Sequence, residues 1–366
     1  MQVIQKAKEI MTPKERTRRT FYHEKTDRVT IGYEANDTIH KKFAKALGIK
    51  NGDMELVRQV LGVDYRGVPM VYNGKPLFDE IEDRIVHPLD GCRSRWISNS
   101  SGGYWDFCDF PLKDATDDEF YNFPVPNPDD FDYELAFDYC KSQTYYGVHL
   151  GNPSMPDIIN SNGRIMGVED ILCHLVLENK AALDFIKKRA DMYFGVFERI
   201  LEKCKNHIDF MWIGEDLGTQ IAPLISLETF RKQIRPIQQK FVDLAKVYNV
   251  PVMVHTCGSS SWVYEDFIEM GIAGVDTLQP EAVNMSPQYL VEHFGGRLCF
   301  RGCISTAGPL TYGTPVETDQ ICRETLDILM SCRGYHFAAT HYIQDNSPVE
   351  NVIAMYNAAH KYGVYQ

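Results

Sequence analysis

Residues 251–257 read Pro-Val-Met-Val-His-Thr-Cys, with Gly258-Ser259-Ser260-Ser261 behind them. A short apolar run opened by proline and closed by a glycine–serine stretch reads as a strand buried on both faces, the kind found in parallel sheets. Alternation along a strand places His255 and Cys257, two residues apart, on one side where the strand opens into its loop. An imidazole and a thiol side by side suit one zinc ion, whose bonds to nitrogen and sulfur run roughly 2.0 to 2.3 Å. The plainer alternative is a hydrogen-bonded core histidine beside a small buried thiol.

The stretches on either side repeat the pattern. Residues 208–213 end at Gly214-Glu215-Asp216, 275–278 at Gln279-Pro280-Glu281, 298–300 at Arg301-Gly302-Cys303, and 335–339 at Thr340-His341. Amphipathic segments such as 227–248 and 316–332 lie between them, each long enough for several helical turns. Repeated strand–helix units of this length predict parallel strands with right-handed crossovers, and hence a (β/α)8 barrel. In such a barrel all the strand ends meet on one face, where the active site lies. Glu215, Asp216, His255, Cys257, Gln279, Glu281, Cys303 and His341 collect there.

A chain of 366 residues, 44% of them hydrophobic, accommodates a barrel of roughly 250 residues plus additions in one domain across 1–366. Residues 1–135 supply an N-terminal helical extension, the first strand and a long aromatic-rich insert; 136–366 supply the main barrel. Two small domains divided near residue 150 are the competing division. A net charge of −12 with no basic stripe argues against nucleic-acid binding. No run of about 18 apolar residues occurs, and the opening MQVIQKAKEI is mixed and charged, so a soluble cytoplasmic protein away from membranes is expected. The ten cysteines have no framework spacing, and of these Cys257 and Cys303 fall at predicted strand ends.

Along the chain, 6–22 reads as a basic helix whose main part starts at Thr12-Pro13. A first strand at 29–33 leads to Glu34-Ala35-Asn36-Asp37, which either joins the site face or, the favoured reading, caps a helix over 38–47, and a helix over 54–61 stops at Gly62. Residues 64–135 have no steady period; Tyr104-Trp105-Asp106-Phe107 lies within them, and the segment suits an active-site lid and a structural flank equally. A strand at 148–150 ends at Gly151-Asn152-Pro153, with helices over 171–177 and 181–204. His149, His174, His207 and His293 each read as structural histidines.

Several stretches resemble one family. His23-Glu24-Lys25-Thr26-Asp27-Arg28-Val29 and Leu61-Gly62-Val63-Asp64-Tyr65-Arg66 are similar to early segments of the uroporphyrinogen decarboxylase superfamily. Further along, Glu215-Asp216-Leu217-Gly218-Thr219-Gln220, His255-Thr256-Cys257-Gly258, His341-Tyr342-Ile343-Gln344-Asp345 and Ser347-Pro348-Val349-Glu350-Asn351-Val352 continue the resemblance in order. It implies a (β/α)8 barrel and either of two chemistries. The decarboxylases hold substrate carboxylates without metal, through an early arginine-rich motif; Arg16, Arg18 and Arg19 lie on a helix without that pattern. The cobalamin-dependent methyltransferase components bind zinc through a His-x-Cys pair, which His255 and Cys257 match, and a later ligand, which falls at His341 where cysteine is usual. Glu281 resembles an acidic ligand of that branch, with Glu215, Asp216 and Cys303 as rivals for the fourth position.

The resemblance therefore implies a zinc-dependent methyltransferase component that works with the cobalt of a corrinoid carried on a partner protein, either taking a methyl group from a methylated substrate or passing one from methylcobalamin to a zinc-activated thiol. His341 in place of cysteine and the aromatic segment around Tyr104 and Trp105 favour the demethylating direction, with an O-methyl aromatic as one candidate substrate. Zinc stabilises the leaving heteroatom as a Lewis acid. Glu215 or Asp216 would protonate it or orient His255, and Trp105 and Gln279 are the candidates for substrate contact. A metal-free decarboxylase is the alternative, and a corrinoid-binding subunit without turnover of its own is a third reading.

Overall fold

Eight parallel strands form the central sheet of the computed structural model, which describes residues 3–100 and 102–366. Met1 and Gln2 of the charged opening and Ser101 of the insert lie outside the described residues. In chain order the strands are β1 (Thr30–Ile31), β2 (Tyr65–Gly67), β3 (Ile85–Val86), β4 (Arg93–Ile97), β5 (Tyr104–Cys108), β6 (Gly147–Leu150), β7 (Phe210–Gly214), β8 (Val252–His255), β9 (Gly274–Leu278), β10 (Cys299–Ile304) and β11 (Tyr335–Ala339). The parallel sheet runs β1-β11-β10-β9-β8-β7-β6-β2, while β3-β4-β5 form a separate antiparallel sheet.

The first and last strands of the parallel row meet at Asp64. Its backbone N–H donates to the Ile31 carbonyl at 3.0 Å, and its carboxylate accepts the Ile31 N–H at 2.7 Å. These bonds curl the sheet into the (β/α)8 barrel that the strand–helix alternation predicts. The Asp64 carboxylate is buried, so its charge requires partners; Arg28 Nη1 supplies one at 2.7 Å and Arg16 Nη1 another.

The barrel is filled by Tyr65, Phe210, Trp212, Met253 and Cys299. Its N-terminal mouth is stopped by Phe21, whose ring lies 5.0 Å from that of Phe210 and 4.8 Å from that of His336. Phe21 ends the helix Pro13–Phe21, where Thr12 accepts the Glu15 N–H and Pro13 occupies the first turn, as the Thr-Pro signal predicts. Asn36 caps the next helix, Asp37–Ala46, and Gly62 ends Met54–Leu61 in the left-handed conformation.

Three expectations change. The basic helix expected over 6–22 begins only at Pro13, and residues 6–12 run outside any helix. The strand expected at 298–300 continues to Ile304, so Arg301 and Cys303 are strand residues rather than loop residues. The segment 64–135 holds β2 and the antiparallel sheet, both invisible to periodicity: β2 spans three residues, and most of β5 is exposed and carries no buried–polar alternation. Cross-strand contacts hold the small sheet instead, including Trp96 against Trp105 at 5.6 Å. Among the described residues no helix is long and apolar enough to cross a membrane.

Candidate metal centre

At the end of β7 the chain passes so close to the β6 loop that a Cβ on Gly214 would overlap the Pro153 carbonyl oxygen, so glycine is required. The next two side chains diverge. Glu215 turns inward, fully buried, and its carboxylate accepts the N–H groups of Ile158 and Ile159 at 2.9 and 2.8 Å, at the start of the helix Ile159–Met166. Burial, reinforced by Asp157, holds its pKa well above the usual carboxylate range. Asp216 faces the barrel mouth, where it accepts the Cys257 N–H at 2.8 Å and the Asn160 side-chain amide at 2.5 Å.

His255 is the last residue of β8 and stands opposite Asp276 in the β8–β9 register. Its Nδ1 lies 2.7 Å from the Asp276 carboxylate, which leaves Nε2 directed at Cys257 Sγ, 3.5 Å away, and at Asp216 Oδ1, 3.6 Å away. Burial alone would favour the neutral ring, but Cys257 and Asp276 lift the His255 pKa well above its ordinary value. Burial pushes the Cys257 thiol up, with His255 acting in the opposite direction.

Asp276 is itself held by Arg301, which also pairs with Glu34, reaches the Tyr65 hydroxyl at 2.7 Å and stacks over the Trp212 ring at 4.5 Å. Despite burial, Arg301 and His255 depress the Asp276 carboxyl below its ordinary range, so it is a fixed anion behind the imidazole.

The donor atoms of Asp216, His255 and Cys257 all lie within 4.8 Å of one another. Tetrahedral zinc with N, S and O ligands requires donor separations of about 3.3 to 3.6 Å, and the His255–Cys257 and His255–Asp216 distances meet that requirement. The carboxylate on Nδ1 supplies the outer support that a ligating histidine normally has. The donor set therefore fits zinc.

These groups line a cavity of about 680 Å³ at the barrel mouth, together with Asp157, Asn160, Arg164, Phe107, Phe110 and His341. The insert thus contributes to the cavity through Phe107 and Phe110. Burial and the neighbouring Asp216 push the Asp157 carboxyl up to about 6.

The other sequence candidates are distributed differently. His341 lies on the same cavity wall but is exposed, its Nδ1 receiving the Gln344 amide at 2.9 Å. Glu281 accepts the Ser305 hydroxyl, outside the trio of converging donors. Gln279 ties loops together, accepting the Gly258 N–H at 2.6 Å. Trp105 packs on Trp96 while its neighbours Asp106 and Phe107 line the cavity. Cys303 is buried within β10, its thiol pushed up by burial. Asp276, Asp157, Asn160 and Arg164 had no signal in the sequence, since each acquires its role through a partner distant in the chain. Glu34 adjoins the Asn36 cap and faces the cavity.

Residues 165–362 match the model of the uroporphyrinogen decarboxylase (URO-D) family. The chain belongs to the uroporphyrinogen decarboxylase family. The matched segment carries β7 to β11 and every metal-donor candidate named above. Among solved structures, a methyltransferase from Methanosarcina mazei superposes with a TM-score of 0.66 at 15% identity, covering 95% of this chain and 98% of that one. The likeness establishes a shared fold over nearly the full length. No curated protein sequence matches this member of the URO-D family.

Proposed function

We propose that this protein is a zinc-dependent methyltransferase component that takes a methyl group from a small methylated substrate and passes it to the cobalt of a corrinoid on a partner protein. The observation that carries the reading is the convergence of His255 Nε2, Cys257 Sγ and the Asp216 carboxylate, with Asp276 fixed on the far ring nitrogen. His255, Cys257 and Asp216 would hold the ion, leaving a fourth position open toward the cavity. Zinc bound there supplies Lewis acidity to a leaving oxygen, sulfur or nitrogen. Asp276 and Arg301 keep the imidazole oriented, and Asp157, its pKa raised to about 6 by burial and by Asp216, is placed on the same wall to exchange a proton with the leaving atom.

The structural neighbour named a methyltransferase supports the same reading at the level of fold. Exposed apolar side chains on the segments that follow β7, β10 and β11, namely Ile221, Tyr312 and Tyr342, support a protein partner at this face. The decarboxylase alternative needs several free guanidinium groups, whereas of the two arginines on the cavity Arg301 is already consumed by Asp276 and Glu34, which leaves Arg164 alone.

The test is the metal content of untagged protein by plasma mass spectrometry, with methylcobalamin formation followed by absorbance. The wild type should carry about one zinc per chain, and Cys257→Ser and His255→Ala should lose both metal and methyl transfer while keeping the wild-type circular dichroism. Full activity in a metal-free variant would refute the reading.

A further inference from the structure

Two arginines line the cavity, and they are in opposite states. Arg301 is buried, with its guanidinium distributed among Asp276, Glu34, Tyr65 and the Trp212 face. Arg164 is half-buried and, among the described residues, makes no hydrogen bond and no ion pair. The guanidinium stacks on the Phe107 ring, its carbon 4.7 Å from the ring centroid, and reaches the buried Asp157 only as a longer-range charge. A stacked guanidinium keeps its in-plane N–H edges free, in the fork that matches a carboxylate. Asp106 and Asp157 line the same cavity, yet neither forms an ion pair with it.

The position of Arg164 is informative. It lies on the helix Ile159–Met166 four residues beyond Asn160, whose amide holds Asp216. Residues four apart share a helix face, with a rise of about 6 Å between them. One end of this face therefore touches the metal centre, and the other end carries an unpaired cation roughly one aromatic ring farther along, beside Phe107 and Phe110.

We propose that Arg164 anchors the carboxylate of a small, flat, methylated aromatic acid whose ring lies against Phe107 and Phe110 and whose methyl-bearing heteroatom points to His255 and Cys257. The word methylated rests on the function proposed above; recognition of the anion does not.

The experiment is calorimetric titration of wild type, Arg164→Gln and Arg164→Lys with 4-methoxybenzoate, its neutral isostere 4-methoxybenzamide, and inorganic phosphate. Each titration is repeated in the Cys257→Ser background, where no zinc is available to take up the carboxylate. The wild type should bind the acid at least tenfold more tightly than the amide. Arg164→Gln should abolish that preference by weakening the acid alone, and Arg164→Lys should restore part of it. Persistence of the preference in the Cys257→Ser background would assign it to Arg164 even if the metal reading fails. Equal binding of acid and amide by the wild type would overturn the proposal, as would undiminished acid binding by Arg164→Gln. Tight phosphate binding through Arg164 without acid binding would also overturn it, assigning the cation to a phosphate-bearing ligand.

Discussion

Glu215 and Asp216 are chain neighbours with opposite surroundings, because successive side chains leaving a strand point to opposite sides. Glu215 fastens a helix start, and Asp216 joins the donor group at the cavity. Behind that group, Asp276 fixes the proton of His255 on Nδ1 and so presents Nε2 as a ligand. Outer-shell carboxylates of this kind typically contribute 10- to 100-fold to metal affinity. Asp276→Asn should therefore weaken zinc binding by roughly that factor in chelator competition while the barrel stays folded. Unchanged affinity would remove Asp276 from the account of the site.

At the scale of elements, the helix Pro13–Phe21 acts as the stopper of the barrel. Phe21 is 4% exposed and packs on Phe210 and His336, so Phe21→Ala leaves a cavity at the base of the core. A loss of about 3–5 kcal/mol in urea unfolding is expected. The insert divides its aromatics between two surfaces: Trp105 pairs with Trp96, and Phe107 meets Arg164 at the cavity. Phe107→Ala should weaken aromatic-ligand binding by about 0.5–1.5 kcal/mol, and Trp105→Ala should leave it unchanged in the same titrations.

Across the whole molecule, the barrel interior stores histidines in neutral form. Burial, and then Arg301, lower the His336 pKa to about 3; burial lowers that of His149 to about 3. Both values fall below the ordinary histidine value, so the unfolded chain takes up protons first as pH falls. The stabilisation is complete above about pH 6.5 and is lost as pH falls toward about 3, by up to ~1.4 kcal/mol per pH unit for each ring. Neither ring nitrogen of His336 has a hydrogen-bond partner, so His336→Phe removes the proton uptake without removing a bond. Its unfolding free energy, measured against pH, should fall less steeply between pH 6.5 and 3 than that of the wild type. Parallel curves would show that His336 protonates equally in both states.

The sequence alone determined the strand–helix alternation, several helix starts and stops, and the placement of His255 and Cys257 on one side of β8. All of these depend on burial periodicity and spacing within a few residues, which the chain carries locally. Tertiary structure decided the rest of the site. Asp276 reaches His255 through the β8–β9 register, Asp216 arrives from β7, and Arg301 binds Glu34 from a strand 267 positions away in the chain. Likewise, only the closed barrel shows that Phe107 faces the cavity, that His341 turns to Gln344, and that Arg164 forms no ion pair among the described residues. Such facts depend on strand register and loop path, which result from packing the whole barrel at once.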